Sequence, residues 1–136
     1  MNQEITALLK PTQLAHLATV DGDQPHLRPM TLIYMNERFF VATGSTDAKT
    51  KQLINNPKAE FCLLFHKDPY TGYLRGKGSM VAITEPSLRK AVADYAIFLY
   101  DYWQDANDPD FILFEMQISS LRYMKPGAML EEDVTL

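Results

Sequence analysis

A mainly β, α+β domain is what this sequence predicts, on three observations. Apolar-rich segments of strand length recur along most of the chain and are bounded by Gly, Pro, Asn and Asp, the residues that close turns. The helical windows between them are few and short. The 136 residues, 46% of them hydrophobic, suffice to bury about two-thirds of the unfolded surface around one core, with no room for a second domain.

The first element is a short helix with Ile5, Leu8 and Leu9 on one face and Pro11 as its stop. It is expected to lie over one end of the sheet as a lid or a prop. Leu17 to Gly22 reads as a strand running into a tight turn, because Asp21-Gly22 supplies the positive φ that a hairpin needs. Pro25 to Met35 returns as the second strand and carries Arg28; alternation along the pleat sends a fixed set of its side chains to one face. Arg38 to Thr43 forms the third. Gly44-Ser45-Thr46-Asp47 then breaks the strand ahead of a short helix from near Ala48 to Asn56-Pro57.

Ala59 to Phe65 is a further strand with Cys62 inside its apolar run, and His66 to Tyr73 reads as a turn-rich loop. Tyr73 to Thr84 is expected to be the longest strand, its Gly76 and Gly78 marking a bulge or a close backbone approach. Thr84 is expected to cap the next helix, with Pro86 in the first turn. That helix carries Leu88, Val92, Ala96 and Leu99 at helical spacing and continues towards Tyr100, Tyr102 and Trp103. Asp108 to Gly127 supplies the closing strands, and Glu131-Glu132-Asp133 reads as a solvated tail.

The loop after the third strand carries the chemistry. A helix N-terminus presents free backbone N–H groups and a partial positive charge, both suited to an anion. Ser45 and Thr46 add hydroxyl donors there. Lys49 adds a full charge in a first turn, where the helix dipole favours acids, and an anionic ligand would remove that conflict. Capping by Asp47 or Thr46 with Lys49 in solvent is the plainer reading, and spacing alone leaves both open.

The combination Pro25-His26-Leu27-Arg28-Pro29-Met30, then Ala42-Thr43-Gly44-Ser45, then Lys49 with Asn56-Pro57 behind it, resembles the pyridoxamine 5′-phosphate oxidase-like family of FMN-binding split barrels, and most nearly its general-stress-protein branch. The segments Gly72 to Pro86 and Asp108 to Gly127 fit the same pattern, so the resemblance covers nearly the whole of residues 1–136 as one domain. It implies a six-stranded antiparallel split β-barrel with peripheral helices, a homodimer, and FMN in a cleft between the two chains. By position, Arg28 and Lys49 match the cationic phosphate contacts, while Thr43, Gly44 and Ser45 match the loop that hydrogen-bonds ligand oxygens. Pro29, Met30 and Thr31 match the strand that edges the flavin ring. Lys51 is a secondary cation on a different helix face from Lys49. Two departures stand out. Ala48-Lys49 replaces the Arg-Lys of the biosynthetic oxidases, and the arginine-bearing closing motif that grips the substrate's phosphate has no match in YMKPGAMLEEDVTL. Vitamin B6 synthesis is therefore not expected.

Phe98, Tyr100, Tyr102 and Trp103 within six residues exceed what one helix face buries. They are either capping core or a dimer contact, and the resemblance implies that Tyr102 or Trp103 reaches the partner's flavin ring. The net charge of −4 and the absence of basic runs with interleaved aromatics argue against nucleic acid. Cys62 is expected in the core rather than as a nucleophile. His16, His26 and His66 lack metal-ligand spacing, and no apolar run reaches membrane-span length, so a cytoplasmic location is expected. Two functional classes follow from the resemblance. One is an FMN-dependent oxidoreductase with a nicotinamide or other small-molecule electron donor. The other is a non-catalytic flavin-binding stress-response module, with haem or a deazaflavin as less favoured ligands.

Overall fold

In the computed structural model of the protein, which describes residues 1–135, the elements follow in the order α1 (Gln3–Leu8), β1 (Thr12–Asp21), β2 (Gln24–Met35), β3 (Arg38–Gly44), α2 (Ala48–Asn55), β4 (Lys58–Lys67), β5 (Tyr70–Ala82), α3 (Pro86–Tyr95), β6 (Phe111–Met124) and β7 (Glu132–Val134). All strand pairs are antiparallel. The sheet order β3-β2-β1-β4-β5-β6 closes on itself through β3 and β6, where Phe40 opposes Glu115 and Gly44 opposes Phe111. Past that contact β7 takes β3's place beside β6, outside the ring. This is the six-stranded barrel with peripheral helices that the sequence leads one to expect, and closure leaves few exposed strand edges.

The ring is uneven. β4 pairs with β5 over its full length, from Lys58 opposite Ser79 to Lys67 opposite Tyr70. β1 meets β4 only from His16 opposite Cys62 to Ala18 opposite Glu60. Beyond Ala18 the two strands separate, and a groove of about 510 Å³ opens between Thr19 and Val20 on one side and Lys58 and Ala59 on the other.

Period-two alternation decides what fills the barrel. Ala15, Leu17 and Thr19 of β1, Phe61, Leu63 and Phe65 of β4, and Leu74 of β5 point inward and are buried. Each large apolar side chain so buried contributes about 1.5–3 kcal/mol. α1 acts as a prop, since its Ile5 is buried in this cluster with Leu8 and Leu9 packed beside it. Where one core is expected, the barrel wall separates two. Ile33, Met35, Phe40, Phe111 and Leu113 face outward and are covered by Val92, Ala93 and Ala96 of α3 with Leu99.

Several expectations are corrected. The loop at His66 to Tyr73 is instead a tight turn at Asp68-Pro69, because the ladder continues through Phe65 opposite Gly72 and His66 opposite Thr71. Gly72 permits this: a Cβ there would lie 2.2 Å from the carbonyl oxygen of Met124. β6, at 14 residues, is longer than β5, at 13, and alone replaces the closing strands expected between Asp108 and Gly127. The cap of α3 is Glu85, not Thr84, since Ile83 still bonds the sheet at Leu113 O; Ser87 Oγ donates to the Glu85 carboxylate. α3 stops at Tyr95, and a 3-10 turn over Ile97–Asp101 carries Phe98 and Tyr100, with Tyr102 and Trp103 just past its end.

Cys62 is not in the core. It alternates with Phe61 and Leu63 and so faces outward, half-buried, opposite Arg75. Burial pushes its thiol up, against the pull of Arg75. Nor is the acidic tail loose: Glu131 pairs with Arg75 Nε at 3.1 Å and Arg122 Nε at 2.8 Å and accepts from Tyr73 OH, while Asp133 pairs with Arg122 Nη1 at 2.6 Å. Arg75 and Arg122 are direct cross-strand neighbours, and like charges so placed repel. The acids relieve that repulsion and seat β7.

Candidate functional site

The elements that bear on the site meet at one corner of the barrel, where β2, the end of β3 and α2 come together. Arg28 lies opposite Leu17 in the β1–β2 ladder and on the same, inward face. Its Nη1 donates to Leu17 O at 3.0 Å and its Nη2 to Gln52 Oε1 at 2.9 Å. That amide oxygen also accepts from Thr19 Oγ1 at 2.6 Å, so Arg28 is tied to both β1 and α2. Desolvation lowers the pKa of the guanidinium, and nearby Asp47 opposes that shift.

Asp47 is the N-cap of α2, an extended residue whose Oδ1 accepts from the Lys49 amide at 3.0 Å. Its Oδ2 lies 3.2 Å from Lys49 Nζ. The Lys49 side chain is only 14% exposed, so it lies along the fold rather than in solvent. Partial burial works to raise the Asp47 pKa, but the Lys49 amide and ammonium and the Arg28 charge outweigh it and hold the carboxyl below its ordinary value. Lys49 therefore pairs with a carboxylate at the positive end of a helix, and Arg28 lies within that carboxylate's field.

The preceding loop is held from the opposite side. Ser45 donates its amide at 2.9 Å and its hydroxyl at 2.6 Å to Asp110 Oδ1, and Trp103 Nε1 donates to Asp110 Oδ2 at 3.1 Å. Asp110 thus joins the Gly44-Ser45 loop to Trp103. The indole packs on Phe111 with ring centroids 5.1 Å apart. Thr43 is 3% exposed, and its hydroxyl accepts from Thr50 Oγ1 at 3.1 Å within the protein. A ligand at this loop would meet the backbone of Thr43 rather than its hydroxyl. The loop and the helix are continuous, with Asp47 N donating to Gly44 O at 3.2 Å.

Of the other residues singled out in the sequence, Pro29 is exposed opposite His16, Thr31 is half-exposed opposite Leu14, and Met30 turns inward against the main core. Lys51 is exposed on α2. Tyr102 is 74% exposed beside Trp103. The outer face of β1, β2 and β4 adjoining Pro29 and Thr31 carries Leu14, Leu27 and Leu64 at 68%, 70% and 40% exposure. Sequence reasoning missed Gln52 and Asp110. Asp110 belongs to a turn before β6, 65 residues from Ser45, and no local pattern signals that contact.

The donor set is suited to a phosphate: two cations, a helix N-terminus and small-residue backbone, with an exposed strand edge alongside. A phosphate-bearing ligand would fit this set once Lys49 is released from Asp47. Among the described residues no cluster of three or more His, Cys, Asp or Glu side chains could hold a metal, and no helix is long and apolar enough to cross a membrane.

Comparison with known proteins agrees with the fold. General stress protein 26 of Bacillus subtilis (strain 168) is 21% identical over 128 residues, covering 93% of this chain and 90% of that protein. The solved structure of a NimC/NimA family protein from Clostridium acetobutylicum superposes with a TM-score of 0.82 at 20% identity, covering 98% of this chain and 91% of that one. General stress protein 26 from Bacillus anthracis str. Sterne gives 0.77 at 20% identity, with 97% of each chain covered. The same fold occurs with different ligands. An FAD-binding protein from Mesorhizobium loti matches with a TM-score of 0.70 at 16% identity over 87% of each chain. A haem-binding protein from Mycobacterium smegmatis gives 0.76 at 17% identity over 92% of this chain and 53% of that one. The family model described as pyridoxamine 5′-phosphate oxidase matches residues 1–125, nearly the whole barrel together with the corner built by Arg28 and Lys49, and the chain belongs to that family.

Proposed function

We propose that this protein binds FMN at the β2–α2 corner and works as a flavin-dependent oxidoreductase within a homodimer. The observation that carries this reading is the Lys49 ammonium at the N-terminus of α2, largely covered and 3.2 Å from Asp47 Oδ2, with Arg28 of β2 tied to the same helix through Gln52. Arg28 and Lys49 would hold the phosphate, the Gly44-Ser45 backbone would line it, and Pro29 to Thr31 would edge the ring. When bound, FMN supplies a ring that accepts and releases hydride. The protein's share is binding, orientation and exclusion of water, and no side-chain acid or base is required of it. The exposed Leu14, Leu27 and Leu64 beside that edge are the apolar surface a second copy would cover, closing the ring side of the cleft. A nicotinamide nucleotide or another small reductant is the proposed donor.

The test is an absorption spectrum of the purified protein after incubation with FMN and removal of the excess, with mass analysis of what heat releases. Anaerobic addition of NADH or NADPH follows. A retained flavin that is bleached by the donor and recovers with an acceptor supports the reading. Retained flavin that no donor reduces would leave a flavin-binding module instead. A haem spectrum, the ligand of the M. smegmatis neighbour, would replace FMN outright.

A further inference from the structure

Both cations proposed for the phosphate already face a negative charge of the chain's own. Asp47 Oδ2 lies 3.2 Å from Lys49 Nζ, its Oδ1 takes the Lys49 amide at 3.0 Å, and its field reaches Arg28. Asp110 does the same for the loop, taking the Ser45 amide and hydroxyl at 2.9 and 2.6 Å.

We propose that Asp47 is a built-in counter-anion of the site: it holds Lys49 until a phosphate displaces it, so a ligand engages Lys49 only by bringing an anion that outcompetes the carboxylate. The inference rests on the FMN reading of this corner. Binding is then an exchange of one anion for another. A phosphate monoester carries about −1.5 to −2 charge near neutral pH, more than the single charge of the carboxylate it replaces. The phosphates of a dinucleotide such as FAD are diesters with one charge apiece, and displacing Asp47 gains them little. A flavin without phosphate gains nothing at this end. Asp47 thus lowers the affinity for every ligand that must displace it from Lys49, and leaves a flavin without phosphate unaffected. Asn and Ser cap helices as Asp does, so the charge can be removed while α2 keeps its cap.

The experiment compares wild type with Asp47→Asn and Asp47→Ser, titrated with FMN, FAD, riboflavin and inorganic phosphate by calorimetry, with circular dichroism to confirm that α2 persists. Both variants are expected to bind FMN and inorganic phosphate about tenfold tighter, equivalent to about 1.4 kcal/mol. Riboflavin affinity should be unchanged, so the preference for FMN over riboflavin should widen by the same factor. Unchanged or weaker FMN binding in both variants overturns the proposal. So does an equal gain for riboflavin, which would place the effect at the ring. If no form binds any flavin, the FMN reading fails by itself and inorganic phosphate still decides: a gain in the variants upholds the counter-anion, and no gain refutes it.

Discussion

Ser45 gives both of its donors to one oxygen of Asp110, and the other oxygen takes the indole N–H of Trp103. Those bonds hold the carboxyl below its ordinary pKa, the Ser45 hydroxyl foremost, then its amide, then the indole. A depressed carboxyl stabilises the fold above its unfolded value of about 4 and loses that contribution as pH falls through the folded value. Trp103 is the only tryptophan, so its emission reads the contact directly. On acidification below about pH 4 the emission should shift before global unfolding, and Asp110→Ala should show the shifted emission already at neutral pH. Tyr123 tests the opposite limb. Burial first, then Glu4, pushes its hydroxyl up to about 12. Its contribution is complete below the unfolded value of about 10 and fades as pH rises through the folded one. Urea unfolding in that alkaline range should show stability falling with pH in wild type and falling less in Tyr123→Phe. At this scale Arg28 and Lys49 were legible, because β2 and the first turn of α2 could be placed from pattern. Their occupation by Gln52 and Asp47 was not, since a salt bridge depends on rotamers that spacing leaves free.

The hairpin between β2 and β3 turns at Asn36 and Glu37, with φ of 52° and 61°. Such a two-residue turn favours Asn-Gly, and a side chain with Cβ at the second position pays for its left-handed backbone. Glu37→Gly should raise stability by about 0.5–1 kcal/mol, read as a higher denaturation midpoint with unchanged slope. Gly76 is the converse. A Cβ there would sit 2.3 Å from the Phe61 ring, so Gly76→Ala should destabilise the barrel by about 1–3 kcal/mol through overpacking. The glycines of β5 did announce a close approach and a bulge, and the register shift falls between Lys77 and Gly78. What misled was composition. His66 to Tyr73 is rich in turn formers, yet cross-strand pairing overrides that preference for all but two of those residues. Cys62 was misplaced because the run Phe61 to Phe65 is apolar on both faces of the strand, so apolar character does not tell inward from outward there.

Across the whole molecule, the order and spacing of segments carried the family resemblance and, through it, the split barrel, but the place where β1 and β4 part and the outward apolar face needed coordinates. That face bears on assembly. If FMN contacts both chains of a dimer, it must strengthen the dimer by the same free energy by which assembly strengthens FMN binding. Sedimentation at graded dilution should therefore show a dimer that persists to lower concentration with FMN, and Leu14→Lys with Leu27→Lys should weaken dimer and flavin together. A monomer retaining FMN at full affinity would place the site within one chain and remove any partner contact by Tyr102 or Trp103. The phosphate end stands or falls separately, on the dissociation constants of FMN and riboflavin for wild type, Arg28→Ala and Lys49→Ala. Charge-assisted contacts of about 1.5–3 kcal/mol each correspond to roughly 10- to 150-fold in affinity, so wild type should favour FMN by at least that order and each variant should lose most of the preference while riboflavin binding holds. Equal constants for the two flavins in wild type, or an FMN affinity untouched by both substitutions in a folded protein, would contradict the account.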